Sequence, residues 1–317
     1  MTETVRKAAL SGVRQALKKL RKVVPDTPLE QFEIGESRLW CKCESAQPIG
    51  AFKLRGAWHR LTELNDAERA RGVVAFSSGN HAQGVAWAAQ RLGIAATIVM
   101  PSDAPALKIA GTKQLGAEII FYDRKTQSRE AIAAELADAR GATLVPSFDD
   151  PWIIEGQGST GLEAYEQLGF APDQVIIPCG GGGLAAGIAL ALPEAAIVTV
   201  EPEGWDDMAQ SLRTGAIIPV GKNAPPTLCD ALMTPRVSPL TFEVLYGRGA
   251  VGAAVSEADT VAAMRFAYHQ HGLTLEPGGA VALAAVLAGK VMISERTLVI
   301  LSGGNIDPGL FATLIDG

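Results

Sequence analysis

The chain is poor in the residues that most often hold metals or cross-links. It has four cysteines, Cys41, Cys43, Cys179 and Cys229, in 317 residues. The "CKC" at 41–43 is too tight for a conventional zinc knuckle, and no second Cys/His pair follows it. Reduced thiols in a cytoplasmic protein, some of them buried, are the expectation. Four histidines offer no metal cluster. His81 belongs to a polar loop, and His269 and His271, in "YHQHG", read as the end of a helix. No run approaches the ~18 apolar residues of a membrane span. Positive charge is not in excess, since 28 Lys and Arg face 34 Asp and Glu. The net charge of −6 argues against a nucleic-acid or anionic-membrane partner. Basic residues do gather in "VRKAALSGVRQALKKLRK", at helical spacing. That stretch has neither the apolar run nor the small-residue cleavage site of a secretory signal, so it reads as a solvated amphipathic helix.

What is present is an alternation of short apolar runs with helical patterns. The runs are "GVVAFSS" (72–78), "ATIVM" (96–100), "AEIIFY" (117–122), "ATLVP" (142–146), "QVIIPCG" (174–180), "AIVTVE" (196–201) and "TLVILSGG" (297–304). Near-continuous Val, Ile and Leu suit strands buried on both faces, hence parallel sheets. Helical patterns at 81–93 and 128–141 lie between them. An α/β protein with parallel-rich sheets flanked by helices is expected. The first four strands form a block that ends near the turn-rich "PSFDDPW". Residues 72–147 are therefore expected as a small domain set into a large one made of 1–71 and 148–317. A ligand is expected in the cleft between the two lobes.

Three strand-end loops draw attention. "PCGGGGLAAG" (178–187) follows a strand and opens a helix. Its four glycines expose backbone N–H groups at a helix N-terminus, which is a phosphate cradle. It is not a Walker motif, and alone it does not separate a dinucleotide from another phosphorylated cofactor. "SSGNHAQG" (77–84) places Ser77, Ser78, Asn80 and His81 at a helix start suited to a carboxylate. "LSGGN" (301–305) closes the last strand. Each alone passes for a polar turn with a cap. Three together point to one site at the carboxyl ends of the strands. Lys53, in "PIGAFKLRGA", adds an amine beside Phe52 in a stretch with few polar neighbours. An amine that forms a Schiff base, a phosphate cup and a partner for a ring nitrogen describe pyridoxal phosphate.

"GAFKLRGA", "SSGNHAQG", "GGGGLAAG" and "LSGGN" stand in the order and spacing of the fold-type II pyridoxal-phosphate enzymes. The chain resembles their serine/threonine dehydratase and serine racemase branch over about residues 25–310, and the fold implied is tryptophan synthase β-like. The resemblance implies that Lys53 carries the cofactor and that Phe52 packs against it. It implies that Asn80 bonds the ring hydroxyl and that Gly180, Gly181, Gly182, Gly183 and Leu184 hold the phosphate. Ser302 would face the ring nitrogen. A hydroxyl there, in place of a carboxylate, favours prompt loss of a β-hydroxyl. Lys53 would then act as the general base at Cα. Ala51 stands where the family usually has serine, and "LCDAL" (228–232) replaces its "IADG", which reshapes a pocket wall.

Further residues follow from the same likeness. Ser78 matches the opposite-face acid/base of the racemase branch, or it binds carboxylate. Glu201 and Asp207, with a carbonyl at Trp205 between them, suit Mg²⁺ or Ca²⁺; otherwise "EPEGWDD" is an acidic turn. Arg129, in "QSREA", is placed to receive a second substrate carboxylate. Glu276 either faces the cofactor or only charges a helix start. The activity implied is ammonia-lyase action on serine, threonine or 3-hydroxyaspartate by a homodimer without an appended regulatory domain. Rivals are an amino-acid racemase, a β-replacement enzyme and a non-catalytic metabolite-binding protein.

Overall fold

The structure, a computed structural model, describes residues 6–77 and 79–317. Its strands are β1 (Leu29–Ile34), β2 (Ser37–Cys43), β3 (Val73–Phe76), β4 (Ala96–Pro101), β5 (Glu118–Tyr122), β6 (Thr143–Leu144), β7 (Gln174–Pro178), β8 (Ala196–Pro202), β9 (Val251–Val255) and β10 (Thr297–Leu301). Its helices are α1 (Leu10–Leu20), α2 (Lys53–Thr62), α3 (Asp66–Arg71), α4 (Asn80–Leu92), α5 (Ala106–Gln114), α6 (Arg129–Arg140), α7 (Pro151–Leu168), α8 (Gly183–Ala191), α9 (Asp207–Thr214), α10 (Pro239–Gly247), α11 (Glu257–His271), α12 (Pro277–Leu287) and α13 (Pro308–Asp316).

Two sheets result. One has six strands in the order β1-β2-β10-β7-β8-β9, and the other has four in the order β5-β4-β3-β6. Every pairing is parallel except β1 with β2. All seven apolar runs become strands, and burial on both faces of β3, β4, β7, β8 and β10 explains their missing alternation. The helix patterns at 81–93 and 128–141 become α4 and α6. Ser128 caps α6 by accepting the Ala131 N–H, and Gly141 ends it in the left-handed region.

Helix α1 is amphipathic as expected, but its apolar stripe is docked. Val13, Ala16, Leu17 and Leu20 are buried. The core beneath the four-stranded sheet draws Leu54, Ala57, Trp58 and Leu61 from α2 and Leu20 from α1. The six-stranded sheet has a core on each face. One is built on α11 and α12, the other on α8 with residues of α7.

Helices α7 and α8 meet backbone to backbone. A Cβ on Gly187 would collide with the Ile154 carbonyl oxygen and stand 2.5 Å from the Gly158 nitrogen. Backbone cannot step aside as a side-chain tip can. We expect Gly187→Ala to destabilise the fold by about 1–3 kcal/mol in urea unfolding. Gly221→Ala, with nothing within 4 Å of its added carbon, should shift stability by less than ~0.5 kcal/mol. Equal effects of the two would show that the helix crossing tolerates the extra carbon.

Candidate active site

Lys53 is the first residue of α2, and its entry is pinned. Ala51 bridges to Gly303, and the Phe52 N–H donates to the Ser302 carbonyl at 3.1 Å. The loop after β10 therefore fixes where α2 begins. The Lys53 amine donates to the Ser147 carbonyl at 3.1 Å and lies 5.2 Å from the centre of the Phe52 ring. Some of its side chain faces the cleft, but protein atoms replace most of its water. Burial lowers the amine from 10.5 to about 8, with Glu276 pulling the other way. An amine so placed is neutral roughly a tenth of the time at pH 7, far more often than an ordinary lysine, and is then a nucleophile.

The cleft is bordered by all three strand-end loops. The loop after β3 brings Ser77, Asn80 and His81. Ser78 lies outside the described residues. Asn80 donates to Glu276 at 2.5 Å, and Asn305 donates to the Asn80 oxygen at 3.1 Å and to Gln83 at 2.7 Å. Asn80 is thus held on both sides. His81 donates through Nε2 to the Val145 carbonyl at 3.0 Å. Burial, with the Lys53 charge nearby, lowers its imidazole to about 3, so it stays neutral. Its side chain holds the segment that carries Ser147, an interaction the sequence did not signal.

The loop after β7 is built as a cradle. Helix α8 starts at Gly183 with no side-chain cap, so its first N–H groups lack intrahelical acceptors. The glycines are also sterically required. A Cβ on Gly181 or Gly183 would strike Phe148, and one on Gly182, at φ +87°, would strike Met208 and Thr241. Thr241 donates to the Gly181 carbonyl at 2.8 Å. Leu184 and the buried Ser302 complete this side of the cleft.

Glu276 lines the cleft rather than merely charging a helix start. Burial raises its carboxyl to about 7; Lys108 and Asn80 oppose the rise, while Asp230 adds to it. Lys108 and Asp230 are site residues that sequence reasoning missed, although "LCDAL" marked the wall that holds Asp230. Arg129, at the start of α6, also borders the cleft. Its Nε donates to Glu130 at 2.8 Å, and its guanidinium carbon lies 5.4 Å from the Phe76 ring centre.

Glu201, Trp205 and Asp207 lie apart from the cleft, where β8 turns into α9. Glu201 accepts from the N–H groups of Met208 at 2.9 Å and Ala209 at 2.8 Å. Burial pushes its carboxyl well up, and Asp207 adds to the rise. Asp207 is raised by burial to about 7, and its buried Oδ2 has no partner. No group of three or more His, Cys, Asp or Glu that could hold a metal occurs among the described residues. A cation here would need a carbonyl such as that of Trp205. Two neighbouring buried carboxylates, one of them with an unpartnered oxygen, fit a hard cation.

The cleft's contents fit pyridoxal phosphate on their own chemistry. They comprise an amine at about 8, an uncapped glycine-built helix N-terminus, a clamped amide and a buried hydroxyl. Comparison with known proteins agrees. Residues 20–303 match the family described as "Pyridoxal-phosphate dependent enzyme". The L-threo-3-hydroxyaspartate ammonia-lyase of a Pseudomonas species is 41% identical over 286 residues, covering 89% of each chain. The enzyme of the same name from Saccharomyces cerevisiae is 40% identical, covering 96% of this chain and 95% of its own. The structure of maize serine racemase superposes with a TM-score of 0.91 at 35% identity and 97% coverage of both chains. With a cleft lysine, a glycine-built helix N-terminus and a fold shared across nearly its whole length, the chain belongs to the fold-type II pyridoxal-phosphate-dependent enzymes.

Proposed function

We propose that the protein is an ammonia-lyase that converts a β-hydroxy amino acid, foremost 3-hydroxyaspartate and otherwise serine or threonine, to a 2-keto acid and ammonia. The observation that carries this reading is Arg129 on the same cleft as Lys53, together with relatives named for hydroxyaspartate. Pyridoxal phosphate, when bound, supplies the electron sink that lets a Cα–H bond break. The chain's residues do the rest. Gly180–Gly183 and Leu184 would hold the phosphate, Asn80 the ring hydroxyl and Ser302 the ring nitrogen, with Phe52 against the ring. Lys53 takes the Cα proton, and the Cβ–OH bond breaks. Water leaves and is taken up again as the resulting enamine hydrolyses, so the net product besides the keto acid is ammonia. Ser77, Ser78, Asn80 and His81 form the loop for the α-carboxylate, and Arg129 takes the second carboxylate.

A second reading is an amino-acid racemase. It is favoured by the likeness to maize serine racemase and by the serine at position 78, where an opposite-face proton donor would act. Assaying β-hydroxy amino acids for keto acid, ammonia and enantiomer together separates the two. We further read the chain as a cytoplasmic homodimer, the dimer by family likeness. The cytoplasmic reading has the support of four buried free cysteines.

Several outcomes are expected. In the cofactor-free protein, capture of pyridoxal phosphate by Lys53 should slow as pH falls below about 8, by roughly tenfold per unit once the amine is mostly protonated. Borohydride fixation with mass spectrometry at Lys53 measures this, and Lys53→Ala should give no adduct. A midpoint near 10.5, the ordinary lysine value, would contradict the buried amine.

Arg129→Ala should lower kcat/KM for 3-hydroxyaspartate about ten- to a hundredfold more than for threonine. A charged hydrogen-bonded pair of roughly 1.5–3 kcal/mol is lost only with the diacid. Equal losses would make Arg129 structural.

Mg²⁺ or Ca²⁺ at Glu201, the Trp205 carbonyl and Asp207 should stabilise the fold by about 2.7 kcal/mol at a hundredfold excess over Kd. Both carboxyls are raised, so protons compete and the effect should weaken below pH 7. Asp207→Asn should remove it. A thermal midpoint indifferent to metal in the parent would leave only an acidic turn.

A further inference from the structure

Lys108, near the start of α5, has no assigned role in the reading above. Its side chain is only 5% exposed, yet it carries a charge, because Glu276 and Asp230 together outweigh the effect of burial. A buried ammonium needs partners for three donors. Its geometry leaves the anionic side incompletely matched. Asp230 accepts from Nζ at 2.7 Å, but its side chain is 39% exposed. Glu276 Oε2 stands 3.8 Å away, beyond hydrogen-bond distance, and is itself buried without a donor.

The amine also lies against the loop that leads into α4. A Cβ on Gly79 would come within 3.2 Å of Nζ and 3.1 Å of the Lys108 Cδ. Glycine at 79 is what lets the ammonium approach the backbone. That backbone belongs to the loop read above as the seat of the α-carboxylate, at the N-terminus of α4. A fixed cation behind an anion-binding loop is the arrangement a carboxylate ligand calls for. Arg129 differs in place and in partner, since it pairs with Glu130 on its own helix.

We propose that Lys108 is the charge that complements the α-carboxylate of every amino-acid substrate, and that Asp230 competes for it while the cleft is empty. The proposal rests on the functional reading above and adds a division of labour. Lys108 serves the carboxylate common to all substrates, and Arg129 serves the one that only diacids have. Asp230 crosses from the six-stranded side of the cleft to reach Lys108 on the four-stranded side. An arriving carboxylate therefore exchanges one ion pair for another instead of meeting a bare cation.

The test uses the cofactor-loaded enzyme and two ligands that cannot undergo β-elimination of water. L-Alanine has the amine and the carboxylate, and ethanolamine has no carboxylate. Binding is followed spectroscopically at the cofactor. Lys108→Gln should weaken L-alanine about tenfold or more and leave ethanolamine within about twofold. It should raise KM for serine and 3-hydroxyaspartate alike. Asp230→Asn, which releases the amine, should tighten L-alanine several-fold, and this variant keeps the test sharp if Lys108→Gln folds poorly. The double variant should bind as weakly as Lys108→Gln. Recovery of parental affinity in the double variant would make Lys108 a mere counter-ion to Asp230 and overturn the proposal, as would unchanged L-alanine binding in Lys108→Gln. If the parent itself takes up no cofactor or turns over no β-hydroxy amino acid, the functional reading fails first and this inference falls with it.

Discussion

A buried guanidinium two residues past Lys53 ties the active helix to the rest of the molecule. Arg55 donates to Glu44 at 2.7 Å through two nitrogens and to Glu163 at 2.8 and 2.9 Å. Lys42 adds a second cation 2.6 Å from Glu163. All four side chains are at most 3% exposed. The cluster joins β2, the turn after it, α2 and α7. Burial alone would raise the Glu163 carboxyl, but Arg55 and Lys42 hold it down at about 2. A depressed carboxyl contributes stability above its ordinary 4.5 that fades as pH falls toward 2. Such a cluster adds little net stability over an apolar one, while losing one member costs about 3–5 kcal/mol. Its consequence here is positional. Two glycine contacts reinforce it, because Gly156 packs on the backbone of Gly56 and Arg55. Helix α2 can therefore sit in only one register, and Lys53 starts where the cleft needs an amine.

The cleft shows the opposite economy of charge. Glu276 acts on the Lys53 amine, Glu276 and Asp230 act on Lys108, and Lys108 and Asp230 act on Glu276. None is satisfied as fully as Arg55. Glu276 keeps an oxygen without a donor, and Lys53 leans on a single carbonyl. Incomplete satisfaction costs stability. It also leaves Lys53 and Glu276 near their titration points and free to take up ligand, which a fully paired cluster cannot do.

Much of this was legible in the sequence because local chemistry and tertiary role coincide. Glycine runs after apolar strands announce a backbone that must approach something, and Gly181 and Gly183 do approach Phe148. Apolar runs without alternation announce parallel strands, and capping residues announce helix ends. The signal failed where the role depends on a distant partner. Strand β1, "LEQFEI", buries only Phe32 and exposes Gln31 and Glu33 on either side of it, so its apolar content was too thin to read. Strand β9, "VGAAV", has weak strand formers, and Gly252 is there because a Cβ would hit Ala209 of α9. In "CKC" the cysteines drew attention. Alternation turns Cys41 and Cys43 into one core and Lys42 toward α7, where it meets Glu163. Lys108 looks like any helical lysine until Gly79 and Asp230 are placed beside it.

The acidic turn at Glu201 and the cleft are also linked, through packing. Glu201 holds the first turn of α9 by accepting from Met208 and Ala209. The methyl end of Met208 stands 2.7 Å from where a Cβ on Gly182 would be, and Thr241 fills the other side while holding the Gly181 carbonyl. The position of α9 therefore bears directly on the glycine loop after β7. On the proposed metal reading, a divalent cation between Glu201 and Asp207 would let both ionise and fix that turn further. An ion at the end of β8 would then act on the cofactor loop by holding Met208 against Gly182, without touching substrate.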